Sequence, residues 1–151
     1  MADDEVLGII ETQVAMLMRL GEATRRATRL APHRALDRSA YVILRHLQAA
    51  GPLNVSALAA RLNLDGSTVT RQVTALENDS LVERRRDPSD GRGIVIAPTD
   101  LGLQQVEAVR RARHDVYALV LRDWDSSDRA TLATVLERFT GSLESYMRDY
   151  R

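Results

Sequence analysis

Residues 54–96 read NVSALAARLNLDGSTVTRQVTALENDSLVERRRDPSDGRGIVI, and the order of local signals in this run decides the fold. Asn54 or Ser56 can cap a short helix that carries Val55, Leu58, Ala59 and Leu62. Asn63 stands where a tight turn needs a positive φ, which asparagine tolerates, and Leu64 plugs that turn. Asp65 or Ser67 caps the next helix, where Val69, Val73 and Leu76 fall at i, i+4 and i+7 and form its buried side. Residues 81–86 and 93–97 are β-prone, and DPSDGR between them has strong turn chemistry, so the two form a hairpin. Helix, turn, helix, hairpin is the order of a winged helix-turn-helix, whose second helix can enter the major groove of DNA.

Outward from this run, residues 4–30 place Val6, Ile10, Val14, Leu17, Leu20, Ala27 and Leu30 three, four or seven apart, an amphipathic helix broadened by Ile9, Met16 and Met18. Pro32 ends it. Asp37 is the expected cap of a second helix marked by Tyr41, Val42, Leu44 and Leu47, which stops at Gly51-Pro52, and Leu53 is a one-residue strand. After the hairpin, Thr99 or Asp100 caps a helix with Leu103, Val106, Val109, Val116 and Val120 inward. Asp125 or Ser126 starts a last helix, whose Leu132, Leu136, Phe139, Leu143, Tyr146 and Tyr150 follow the alternating spacing of a helix-on-helix seam. The expected class is mainly α with a small β-wing, a winged helix-turn-helix plus a helical dimerisation region, in the order α-α-(β)-α-α-β-β-α-α.

Bulk composition excludes several function classes. The 151 residues are 44% hydrophobic and 28% charged, ordinary for one globular domain with helical extensions. With no cysteine there is no disulfide framework, thiolate metal site or thiol redox sensor. The three histidines, His33, His46 and His114, lack ligand spacing, so neither metal nor cofactor is expected. No apolar run approaches the ~18 residues of a membrane span. The acidic start MADDEV resembles neither a signal nor a transit peptide, so the cytoplasm is the expected compartment and no membrane partner is expected. No nucleophile–base pair or Gly-rich phosphate loop is visible, and Asp87 and Asp90 belong to a turn rather than a cleft, so no enzyme is expected.

Charge is the one feature against double-stranded DNA as partner. The 21 basic residues, all arginine, balance 21 acids, and within residues 51–100 six arginines face seven acids. A positive footprint must therefore come from placement, although each arginine can make a planar bidentate contact. On the helix that Asp65 or Ser67 caps, Ser67, Arg71, Thr74 and Asn78 fall opposite the buried side, with Thr68 and Thr70 on its flanks. Such a face can meet base edges, with Arg71 bidentate to guanine, while the helix start donates to phosphates. In the wing, Arg92 is placed to enter a narrow minor groove, and Asp90 can orient either that arginine or the turn backbone. Arg84 and Arg86 lie on one side of their strand and Arg85 on the other; Arg84, Arg86, Asn54 and Ser56 are candidate phosphate contacts.

Residues 37–102, with GPLNVSALAARLNLDGSTVTRQVTALENDSLVERR, then DPSDGR, then TDLG, resemble the MarR family of bacterial transcription regulators, and the flanking helices extend the resemblance over the whole chain. It implies a homodimer, with residues 1–34 as an N-terminal dimerisation helix, 35–98 as the winged DNA-binding domain and 99–151 as C-terminal dimerisation helices. It implies major-groove contacts from Ser67, Thr68, Thr70, Arg71 and Thr74 and a minor-groove contact from Arg92, at a pseudo-palindromic operator under repression. It also admits a small anionic aromatic effector in a cleft between the dimer helices and the DNA-binding lobe. Arg25, Arg26, Arg29, His33, Tyr41 and His46 are available to such a cleft, although solvated arginines and packing aromatics are the simpler reading and the ligand site stays unassigned. Lack of cysteine argues against the peroxide-sensing branch, and the position of Trp124 against the urate-sensing one. Two departures stand out: Gly91 replaces a common wing arginine, and Ala97-Pro98 is expected to shorten the second wing strand. The competing expectation is a winged-helix protein-docking module without DNA specificity of its own.

Overall fold

A computed structural model describes residues 2–27 and 36–150. The chain folds as two compact units, residues 1–35 and 36–151. The first contains α1 (Asp3–Ala27), whose first turn holds Asp3, Asp4 and Glu5, acids that complement the positive end of the helix dipole. Leu7, Leu17 and Met18 on it are exposed. The rest of the helix expected over 4–30 falls, with Arg29 and His33, outside the described residues.

The second unit is built on α2 (Arg38–Ala50), α3 (Val55–Leu62), α4 (Gly66–Asn78), β1 (Val82–Arg86), β2 (Ile94–Pro98), α5 (Asp100–Val120) and α6 (Ser126–Asp149). Each helix is capped by a short polar side chain that accepts an orphan backbone N–H: Asp37, Asn54, Asp65, Thr99 and Asp125, in chain order. Asn63 closes α3 at φ 54° and ψ 41°, the left-handed conformation the turn requires, and Leu64 packs partly buried against the core behind it. In α2 it is Ile43 that enters the core with Leu44 and Leu47, while Val42 points outward. Leu58, Val69, Val73, Leu76, Leu81, Val82, Ile96, Val106 and Val109 complete this core.

The strands are antiparallel, in register from Val82↔Pro98 to Arg86↔Ile94, and Leu53 bridges Ile96 from the other side of β2 through bonds of 3.1 and 2.7 Å. The expected shortening of the second wing strand does not occur. Pro98 is the terminal residue of a five-residue strand, a position where a missing N–H interrupts no ladder.

The TDLG segment works as a clasp. Ser80 turns the chain out of α4 at φ 60°; its carbonyl accepts from the Thr99 hydroxyl at 2.6 Å, and the Leu81 carbonyl from the Thr99 N–H at 3.1 Å. Thr99 Oγ1 in turn accepts from the Gly102 N–H at 3.0 Å. A Cβ at Gly102 would lie 2.1 Å from the Leu81 carbonyl oxygen, so only glycine lets α5 start this close to the sheet.

Beyond the lobe, the apolar seam has no cover within the second unit. Val120, expected inward, is 66% exposed, and α6 has no buried residue: Leu132 and Phe139 are half-buried, while Leu136, Leu143, Tyr146 and Tyr150 are exposed. The α5–α6 corner is held by Arg129, whose Nη2 donates to the carbonyls of Leu121 at 2.7 Å and Arg122 at 3.2 Å. Among the described residues no helix is long and apolar enough to cross a membrane.

Candidate nucleic-acid interface

The face of α4 opposite Val69, Val73 and Leu76 carries Ser67, Thr70, Arg71, Thr74 and Asn78, all exposed, with Thr68 half-buried on its flank. Local hydrogen bonds organise the hydroxyls. Asp65 accepts from the Ser67 hydroxyl at 2.5 Å, the Thr68 hydroxyl at 2.8 Å and the Thr68 N–H at 2.7 Å. The Thr70 hydroxyl donates to the Gly66 carbonyl at 2.8 Å and the Thr74 hydroxyl to the Thr70 carbonyl at 2.9 Å. The Ser67 hydroxyl above all, then Thr68, hold the Asp65 carboxyl far below the usual carboxylate range. An ionised acid therefore occupies the very start of α4. At the helix start expected to donate to phosphates, the cap takes the Thr68 N–H and adds negative charge.

Arg71 Nη2 lies 3.5 Å from Thr68 Oγ1, beside a groove between the start of α2 and α4 lined by Asp37, Ser39, Thr68, Arg71, Gln72 and Asp79. Gln72 Oε1 is buried there without a hydrogen-bond partner. Gln72 and Ser39 escaped sequence reasoning: Gln72 lies on neither the buried side nor the polar face, and Ser39 comes beside α4 only through the packing of α2.

Arg84 has a different place from the one expected. Its Nε donates to Glu77 Oε2 at 2.9 Å and its Nη2 to Thr74 Oγ1 at 3.4 Å, so β1 is tied to α4. The contact spans seven residues and could be read only once the turn geometry was known. Arg85 pairs with Glu83 across the strand's alternate spacing, whereas Arg86 is exposed and makes no side-chain hydrogen bond or ion pair among the described residues.

The wing tip is held by its own acids. Asp87 Oδ1 accepts from the Ser89 N–H at 2.9 Å and the Ser89 hydroxyl at 2.7 Å, and the hydroxyl contact first among these holds its carboxyl below the usual range. Asp90 Oδ1 accepts from the Arg92 backbone N–H at 3.2 Å. Of the two roles open to Asp90, the structure has the backbone one, and the exposed Arg92 guanidinium makes no hydrogen bond or ion pair among the described residues. A Cβ at Gly91 would meet nothing within 4 Å, so the missing wing arginine is not a steric demand. Of the candidate phosphate contacts, Asn54 commits its Oδ1 to the Ala57 N–H at 2.7 Å, and Ser56 is exposed in the first turn of α3.

The cleft candidates separate. Tyr41 packs under the Arg113 guanidinium, 4.2 Å from the ring centroid, which ties α2 to α5. Burial first, then the charge of Arg61, lowers the basicity of His46, with Glu144 opposing. Both residues thus serve packing within the second unit, and nothing described assigns them a ligand.

The model of the MarR family matches residues 36–94. An uncharacterised helix-turn-helix regulator of Bacillus subtilis, YxaD, is 39% identical over 103 residues, 68% of this chain and 72% of its own. The repressor IacR of Pseudomonas putida is 25% identical over 125 residues, covering 83% of this chain and 75% of its own. A MarR family protein from Bacillus stearothermophilus has the same fold, with a TM-score of 0.75 at 19% identity over 95% of this chain and 99% of that one. With its helix-turn-helix, its hairpin and this likeness, the chain belongs to the MarR family, whose members are transcriptional regulators and not enzymes.

Proposed function

We propose that this protein is a homodimeric, sequence-specific DNA-binding repressor, acting at a pseudo-palindromic operator in the cytoplasm and released by a small anionic aromatic ligand. One observation carries the DNA-binding part: a single lobe exposes a polar helix face, Ser67, Thr70, Arg71 and Thr74, together with the unpaired Arg92 of its wing. In this reading Ser67, Thr68, Thr70, Arg71 and Thr74 meet the major groove. Arg92 enters the minor groove from a turn that Asp90 holds, and Arg86, Ser56 and the Asn54 amide serve phosphates. Arg84 is committed to Glu77, which makes phosphate binding its lesser role.

The dimer is supported by the large apolar residues left exposed on α5 and α6, among them Val120, Leu136, Leu143 and Tyr146. In the domain division that goes with it, residues 1–34 and 99–151 associate and 35–98 read DNA. Two-fold symmetry then sets the half-sites about one helical turn, ~34 Å, apart. Repression is carried over from the name of IacR. The ligand rests on the family resemblance alone.

The test is an anisotropy titration of the full chain against the promoter beside its gene, over a salt series. Specific binding that falls steeply with salt is expected, because neutralised phosphates release counterions. Arg92→Ala weakens binding to all duplexes, and Arg71→Ala costs about 1–3 kcal/mol on the operator and relaxes its preference. Operator affinity unchanged in both variants refutes these contacts. No binding to any duplex at low salt favours the protein-docking alternative, which the zero net charge suits.

A further inference from the structure

The direction of four hydrogen bonds on α4 is settled by chemistry. An ionised carboxylate and a peptide carbonyl can only accept, and a hydroxyl has one proton to give. Ser67 and Thr68 therefore donate to Asp65, Thr70 to the Gly66 carbonyl and Thr74 to the Thr70 carbonyl. All four hydroxyls turn only lone pairs outward. Two of these are partly engaged, Thr68 by Arg71 and Thr74 by Arg84, which leaves Ser67 and Thr70 as open acceptors around one donor, Arg71.

We infer that Asp65 sets base preference: by holding the protons of Ser67 and Thr68, it makes the recognition face select the exocyclic amino groups of adenine and cytosine, beside a guanine read by Arg71. This rests on the DNA-reading function proposed above. In the major groove adenine N6 and cytosine N4 donate, whereas thymine O4 and guanine O6 and N7 accept. A Ser67 hydroxyl could reach thymine O4 or guanine O6 only by withdrawing its proton from a charged acceptor, and bonds to charged acceptors are about twice as strong as neutral ones. The Thr70 and Thr74 protons rest on helix carbonyls, neutral acceptors that release them more easily. Control therefore lies with Asp65. Its charge also repels phosphate from the start of α4, which favours an approach to base edges over an end-on approach to the backbone.

Asp65→Asn separates this from a structural role, because asparagine is an equally good N-cap. Its oxygen keeps the Oδ1 place that takes the Thr68 N–H, so its amide nitrogen stands at Oδ2, donates to Thr68 Oγ1 and frees the threonine proton to point outward, while the Ser67 proton is left on a neutral oxygen that holds it more weakly. Duplexes are selected from a randomised pool with each protein. Affinities are then measured on the selected half-site and on copies in which single adenines are replaced by purine, or single cytosines by 2-pyrimidinone, each lacking only the amino group. Wild type is expected to lose about tenfold at one or two positions beside the Arg71 guanine. Asp65→Asn, with an unchanged helical spectrum, should lose less than threefold there and select thymine or guanine edges instead. Specific binding by wild type that ignores every amino group, or an Asp65→Asn variant with wild-type preference, overturns the inference and leaves the DNA-binding function standing. Wild type that binds no duplex overturns both.

Discussion

The winged lobe and the sixth helix are apolar to different ends. In the lobe, Leu44, Leu58, Val69, Val73, Ile96, Val106 and Val109 have almost no surface left, because α2, α4, the sheet and the first half of α5 close on one another. On α6 the apolar residues recur with equal regularity, yet none is buried, and Tyr146 and Tyr150 stack at 4.4 Å in the open. Periodicity measures how much apolar surface an element offers. Whether that surface is satisfied inside the chain depends on the neighbours it finds. The lobe is a finished core that presents polar groups outward, and α6 is an apolar seam left uncovered within its unit.

The sharpest way to break the lobe, leaving α6 as it is, is Gly102→Ala. The added methyl meets a backbone carbonyl at 2.1 Å and Leu44 Cδ2 at 3.1 Å, so the start of α5 has to shift and the Thr99 clasp with it. Urea unfolding should show a loss of about 3 kcal/mol, at the upper end for overpacking. A change under about 0.5 kcal/mol would mean that the clasp does not set the closeness of α5 to the sheet. The converse substitution, Leu143→Glu, charges the α6 seam without touching the lobe core. Light scattering should find a monomer with near wild-type helical content, and operator affinity should fall about a hundredfold as two-site attachment is lost. An intact dimer in this variant would move the dimer interface off α6.

The two regions also differ in how much of them could be read from sequence. Five helix starts, the αL turn at Asn63 and the bridge at Leu53 follow from residues whose chemistry acts within a few positions. The recognition face likewise follows from one helix wheel. Three things did not: the Arg84–Glu77 tie, the groove lined by Ser39 and Gln72, and the uncovered Val120. Each depends on where a different element packs, or fails to pack. Pro98 misled for a related reason: a proline costs a strand only where its N–H would have joined the ladder.

The Arg84 tie is tested by Arg84→Gln. The Glu77–Arg84 pair is more than a third exposed, so stability should change by less than about 1 kcal/mol. Affinity should drop severalfold, through loosening of Thr74 and of α4 against the wing, with an unchanged salt slope. A slope reduced by about one would instead make Arg84 a phosphate contact.

Gly91→Arg sharpens the contrast within the lobe itself, where charge is scarce at the wing tip although space is not. The position is open and its backbone lies outside the left-handed region, so the substitution leaves folding unchanged. One more cation beside Arg92 reaches the DNA backbone or the minor groove, at a site where the chain's neutrality leaves each arginine weighty. Affinity should rise a few-fold for operator and random duplex alike, with a salt slope steeper by about one unit. A gain confined to the operator would mean that the new arginine reads groove shape rather than charge. No gain at either duplex would place the wing tip away from DNA and count against Arg92 as the minor-groove residue.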